Sequence, residues 1–423
     1  MPLLVAAATR HFNIDVLAFG ALLVAGALAS GIANRSLLSL TALFVLAGFA
    51  LGDGGLRVVH FDAGSAFTGE LATIALIVIL LRDGLEVERE MLQAHWHLPL
   101  RKLVLAMPLT AAIVAGTVRL LTDFSWTECL LLGVLLSPTD PVLSSSVVTN
   151  PRVPRIVRHS LNLESGLNDG LALPAVVALA AAAGSGAAHF VWWRFVAQDL
   201  GFGLLTGLLV GVLAGRLMPR ARGDHPPPDV PSHQISLYAL GAGFASYGIA
   251  VLALHGNGLI AVYVAAITLA IRRPDARVHF ERQAENLVEI VKLGIFVVFG
   301  SLLTLHGLLH DGWAAVGIVV ATLLVARPVA VFAALAGTAT DTATKAFMGW
   351  FGPKGVATMT FSLLVLADQV PNARRIFDIA ALVVFCSIIA HGVTDTAGSD
   401  WIAQRSERAP EGTTGPAEEL AAG

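Results

Sequence analysis

Apolar runs long enough to cross a lipid bilayer follow one another along almost the whole chain. A bilayer core needs roughly 20 apolar residues in helical form. The runs predict about thirteen transmembrane helices, each with a boundary error of a few residues. The spans are 13–31, 37–52, 67–82, 99–121, 126–148, 155–184, 191–218, 234–254, 257–271, 283–305, 312–338, 343–369 and 375–397. With 56% hydrophobic and 13% charged residues, so apolar a chain of 423 residues excludes a single soluble domain. The predicted class is an all-α polytopic membrane protein.

Cys129 and Cys386 both fall in apolar runs. They offer no disulfide framework and no metal-ligand spacing, so each reads as an inert buried thiol. The first run is followed by Asn34-Arg35 rather than a small-residue cleavage site, so no cleavable signal peptide is expected. The segment 398–423, rich in Pro, Glu, Thr and Ala, is expected to be a disordered tail.

Basic residues set the expected orientation. Arg35, Arg82, Arg89, Arg101, Lys102, Arg152, Arg155, Arg158, Arg220, Arg222, Arg272, Arg273, Arg277 and Lys345 fall in connections of one parity, and the tail adds Arg405 and Arg408. Arg10, Arg57, Arg119, Arg194, Arg374 and Arg375 fall in the other. The richer side faces the cytoplasm, which puts the N-terminus outside and the C-terminus inside.

Carboxylates at membrane depth cost roughly 2.5–3.5 kcal/mol each on insertion. Asp140 and the pair Glu164 and Asp169 nevertheless lie in apolar stretches. Pro138 and Pro141 flank Asp140, and neither has an N–H to give. The carbonyls of Val134 and Ser137 are therefore expected to be freed, which marks the fifth span as a broken helix with a cation site. Gly352, Pro353 and Gly355 mark a second break in the twelfth span. The two breaks are the middle members of helix groups 4–6 and 11–13. Seven spans separate them, so corresponding helices cross in opposite senses, as in an inverted repeat.

The sixth span places Ser165 and Asp169 on one face, with Glu164 and Asn168 on the neighbouring stripe. Glu164 and Asp169 are about 140° apart on a helix, so they have different partners. Asp169 is expected to face Asp140, and Glu164 to pair with Arg327 as a structural ion pair. Oxygen ligands around two aspartates suit an alkali cation, and competition between one cation and one proton is sufficient for exchange. Asp83 ends the third span beside Arg82, either as an interfacial pair or as a ligand at the mouth of the ion path. Lys354, in the second break, would neutralise half-helix dipoles, with a snorkelling lysine as the plainer reading. Lys292 has Asp169 or Glu289 as candidate partners, and Glu289 is the blander choice. His60, His255, His306 and His310 read as solvated loop histidines, with pH sensing as the alternative.

At these residues the chain resembles the monovalent cation:proton antiporter superfamily, in its sodium/proton exchanger branch. The resemblance rests on Thr139-Asp140-Pro141, Glu164-Ser165 with Asn168-Asp169, Asp83-Gly84, and His255 to Leu259. Ala326-Arg327-Pro328, Gly352 to Gly355 and His391-Gly392 complete it. It implies a thirteen-helix antiporter fold with inverted repeats and two crossing broken helices. Scaffold and dimerisation helices would occupy 13–98 and 191–305. Core helices would occupy 99–184, with the break in 126–148, and 312–397, with the break in 343–369. It further implies that Asp140 and Asp169 bind ion or proton, that Thr139 and Ser165 are further ligands, and that Asp83 completes the site. Asn168, where the electrogenic branch has aspartate, implies one-for-one exchange. Lys354 stands where arginine is common, and Asp83 where glutamate is usual. The expected protein is a homodimeric Na⁺ (or Li⁺)/H⁺ antiporter of the cell membrane, not an enzyme. It would act on cations and protons in a lipid bilayer, with no cofactor and no nucleic acid. The alternatives are K⁺/H⁺ exchange on the same fold, an intramembrane aspartyl protease, and a non-transporting ion sensor.

Overall fold

The computed structural model describes residues 17–25, 28, 40–61, 66–87, 97–140, 147, 150–184, 191–218, 232–368 and 370–407. Among these residues the chain is helical, with no strand. Residues 17–25 are helical. They are followed by α1 (Leu40–Leu51), α2 (Ala66–Leu85), α3 (His97–Leu121), α4 (Trp126–Leu135) and α5 (Arg155–Ala183). Next come α6 (Trp192–Leu217), α7 (Ser232–Ala253), α8 (Gly258–Arg272) and α9 (Pro274–Ser301). The short α10 (Leu305–His310) precedes α11 (Gly312–Ala334), α12 (Thr342–Trp350), α13 (Val356–Ala367) and α14 (Ala373–Glu407). Every predicted span meets a helix. Among the described residues, six helices are long and apolar enough to cross a membrane by length and composition.

Local chemistry explains the helix ends. Ser125 and Glu128 open α4 with reciprocal side-chain-to-backbone bonds. Asn257 caps α8 by accepting the Ile260 N–H at 3.0 Å, and Asp341 caps α12. Wider π-type turns interrupt α3, α6 and α11 at 102–106, 195–200 and 321–326.

The packing is dense where small residues recur. Gly203, Gly207 and Gly211 repeat every four residues on α6 and face α8. A Cβ at these positions would lie 2.9, 2.6 and 2.6 Å from atoms of Asn257, Ala261 and Thr268. The absence of side chains lets the two helices approach closely. Helix α8 also packs on α2 and α7, and α9 packs on α1, α2 and α7. On the other side α3 packs on α4 and α11, α4 on α5, α11 on α12, and α13 on α14. Helices α2, α5, α8, α9 and α13 meet between these groups.

Three expectations change. The helix predicted to end at 397 continues to Glu407, so the first part of the tail expected to be disordered is helical, and 408–423 lie outside the described residues. Ile402 explains the extension: it is 2% exposed and joins a second apolar cluster with Phe347, Phe351 and Val157. Lys102, counted among the connecting basic residues, lies inside α3 and is fully buried. The tenth span starts earlier than predicted, at Pro274, because its first turns are polar yet helical.

Candidate functional site

The fifth span breaks where its prolines stand. Helix α4 stops at Leu135, and residues 137–140 continue without helical form. Pro141 lies outside the described residues, so its part in the break is not described. The twelfth span breaks between Trp350 and Val356, around Gly352, Pro353 and Gly355.

The two breaks are joined by reciprocal bonds. The Asp140 N–H donates to the Pro353 carbonyl at 2.8 Å. The Asp140 carboxylate accepts the Val356 N–H at 3.1 Å. Gly355 has no capping side chain, so Asp140 caps α13 from another segment. A Cβ on Gly355 would lie 2.5 Å from Asp140 Oδ2, and glycine makes that approach possible. Thr358 Oγ1 donates to the Leu135 carbonyl at 2.9 Å. Lys354 is 1% exposed. Its Nζ donates to the carbonyls of Ser137 and Pro138, both at 3.1 Å. It does not snorkel. It occupies the C-terminal end of α4, where the peptide dipoles favour a cation.

These bonds correct the expectation of freed carbonyls. Val134 O accepts from Ser137, through its N–H at 3.2 Å and its Oγ at 2.9 Å. A tight turn thus replaces the lost helical bond. Ser137 O is taken by Lys354. The oxygen ligands left to a cation are carboxylates and hydroxyls rather than these carbonyls.

Asn168, 2% exposed, donates through Nδ2 to the Thr139 carbonyl at 2.7 Å and to Thr139 Oγ1 at 3.1 Å. Among the described residues its Oδ1 is buried without a hydrogen-bond partner. Asp169, the next residue, is half-buried and lies within electrostatic reach of Asp83 and Asp140. Lys292 acts on Asp83 and Asp169 from α9. Glu289, the blander partner for Lys292, is exposed. Asp83 is buried in the last turn of α2, 3.5 Å from Arg82, which also pairs with Glu86 at 2.7 Å. Both readings of Asp83 therefore have a counterpart in the geometry. Ser165 is half-buried one turn before Asp169.

Glu164 points elsewhere, as helical spacing requires. Arg327 holds it with two bonds, at 2.8 and 3.2 Å. Lys102 adds a third at 2.7 Å and also reaches Ser160 O at 3.1 Å. Gly352 leaves room for the Arg327 guanidinium, which a Cβ would overlap. The second cation on Glu164 was not anticipated, because Arg101-Lys102 reads as the basic edge of a loop. His391 ties α14 to the second break. Its ring nitrogens lie 2.7 Å from Ser387 O and 2.8 Å from Trp350 O, while Ser387 Oγ accepts the Lys354 N–H at 2.8 Å.

A helical membrane protein with two interlocked broken helices and buried carboxylates beside them has the architecture of a secondary cation transporter. The chain belongs to the sodium/hydrogen exchanger family, whose transmembrane region it matches over residues 19–397. It is therefore an integral membrane protein of a transporter family. It is 25% identical over 383 residues to a protein named K(+)/H(+) antiporter NhaP2 from Shewanella sp. (strain MR-4). The match covers 89% of this chain and 65% of that protein. It is 24% identical over 400 residues to the K(+)/H(+) antiporter NhaP of Alkalimonas amylolytica, covering 92% of this chain and 67% of the relative. The chain thus spans about two thirds of the length of these curated relatives. The structure of the sodium proton antiporter MjNhaP1 from Methanocaldococcus jannaschii superposes with a TM-score of 0.75 at 19% identity. That superposition covers 94% of this chain and 99% of the other. The antiporter fold is shared.

Proposed function

We propose that the protein is a secondary active antiporter that exchanges Na⁺ or Li⁺ for H⁺, one for one, across the cell membrane. The observation that carries this reading is the convergence of Asp83, Asp140 and Asp169 beside the paired breaks. Three carboxylates that feel one another repel, and either a cation or a proton relieves the repulsion. One site serving both in turn is an exchanger.

Asp140 and Asp169 hold ion or proton in this reading, with Thr139 and Ser165 as further oxygen ligands and Asp83 completing the site. Asn168 stays neutral, which leaves the exchange electrically silent. Helices α3–α5 and α11–α14 form the moving core, and the rest form a frame that dimerises. The N-terminus faces outward and the C-terminus inward. A second reading, K⁺/H⁺ exchange at the same site, is favoured by the Shewanella and Alkalimonas relatives, both named K(+)/H(+) antiporters.

The test is proton flux in proteoliposomes loaded with a pH dye, with Na⁺, Li⁺ and K⁺ added in turn and the membrane potential clamped or free. A Na⁺-evoked pH change that ignores the clamp and vanishes in Asp169→Ala, itself still folded, is expected. A response to K⁺ alone selects the second reading. Retained exchange in Asp169→Ala refutes the site. Silence to all three ions refutes exchange.

A further inference from the structure

Tyr263 lies on α8, is 6% exposed, and reaches across to the carboxylate-bearing helix α5. Its hydroxyl donates to the Gly166 carbonyl at 2.9 Å. Its ring fills the space beside Gly170, where any Cβ would overlap it. These two glycines bracket Asn168 and Asp169, so one side chain fits α5 on either side of the candidate ligand. Tyr263 also touches α2 through its backbone. A Cβ on Gly84 would lie 3.0 Å from Tyr263 O, and Gly84 follows Asp83 directly. The phenol is close enough to feel the charges of both Asp83 and Asp169. One residue therefore contacts the two helices whose carboxylates must stand a fixed distance apart.

The Gly166 carbonyl is an unusual acceptor for such a bond. As a helical carbonyl it faces the N–H of residue 170 four positions on. A carbonyl has two lone pairs, so the phenol adds a bond rather than replacing one. A phenylalanine at 263 would keep the ring against Gly170 and lose only this added bond.

We propose that Tyr263 is a positioning residue of the exchange site, which sets the separation of Asp83 and Asp169 in the conformation described by holding α5 against α8 and α2 there. The inference rests on the antiport reading and names a residue that the reading does not use. It touches neither ion nor proton. It acts through the register of α5, so its loss weakens cation affinity and leaves the number of working molecules unchanged.

The experiment is a Na⁺ and K⁺ titration of exchange in proteoliposomes for the wild type, Tyr263→Phe and Gly170→Ala. The amount of folded protein is measured by size exclusion and thermal unfolding. In Tyr263→Phe the cation KM is expected to rise about five-fold with maximal rate held, the scale of one net hydrogen bond. Gly170→Ala, which displaces the ring, is expected to raise KM further. An unchanged KM in folded Tyr263→Phe overturns the inference, as does a fall in maximal rate that tracks folded protein. If Gly170→Ala fails to fold, Tyr263→Phe decides alone. Exchange in the wild type with no KM shift in the variant leaves the antiport reading standing. No exchange in the wild type removes both.

Discussion

Glu164 stands between two cations, Arg327 at 2.8 Å and Lys102 at 2.7 Å. The trio carries one net positive charge in a buried setting. Loss of either cation leaves a neutral pair, whereas loss of both strands a carboxylate. Single substitutions Lys102→Met and Arg327→Met are therefore expected to cost little beside the double. Stranding the carboxylate adds about 3–5 kcal/mol, so the double should exceed the sum of the singles in a detergent unfolding cycle. Additive costs would contradict the shared-partner geometry. The Glu164–Arg327 contact was legible because spacing on α5 turns Glu164 away from Asp169, and a membrane glutamate needs a cation. Lys102 was not legible, since a basic pair at a helix start looks the same whether it faces water or a buried acid. Tyr263 carried no signal at all: an aromatic in an apolar helix shows nothing of the bond it makes.

At the scale of elements, each break supplies the other's missing cap. Lys354 satisfies Ser137 O and Pro138 O, so Lys354→Met leaves two buried carbonyls with no donor among the described residues. An unsatisfied buried acceptor costs about 1–3 kcal/mol, and a matching drop in stability should appear as a lower midpoint in thermal unfolding. Glycines separate into two kinds. Gly355→Ala would push a methyl to 2.5 Å from Asp140 Oδ2 and should cut exchange at least about ten-fold, the effect of roughly 1.4 kcal/mol at the site. Gly116→Ala on α3 meets nothing within 4 Å. It should leave exchange unchanged and stabilise the helix by up to about 1 kcal/mol. Flux and unfolding assays on the two variants separate these outcomes. Proline and glycine spacing made both breaks legible. The bonds between them were not, because helices far apart in sequence meet only once the whole bundle packs.

Across the whole molecule, one end of the bundle is clasped by Arg375. It reaches Asp123 at 2.9 Å in the α3–α4 connection and Asp311 at 2.5 Å before α11, and its guanidinium lies over the Phe124 ring. The hydrogen bond from Arg375 holds the Asp123 carboxyl below its ordinary value of 3.8. A carboxyl with a lowered folded pKa stabilises the fold above the ordinary value and loses that share as pH falls through the folded pKa. Asp123 is exposed, so the share is small. Unfolding midpoints of the wild type and Asp123→Asn are expected to differ slightly at pH 7 and to converge below the usual carboxylate range. A gap that widens on acidification would reverse the sign. At this scale the sequence was most readable in its apolar runs, since their lengths are set by bilayer thickness. It was least readable at the end of α14, where polar letters conceal Ile402 packing into an apolar cluster. The interlocking of the breaks has a kinetic consequence. Asp140, Pro353, Lys354, Ser137 and Thr358 find their partners inside the crossing, so the crossing can be carried as a unit with those bonds intact. In the proposed exchange cycle, the activation enthalpy of turnover is expected to arise where α2 meets α5 and α13 and where α8 meets α5, and its temperature dependence should follow side-chain size along that boundary.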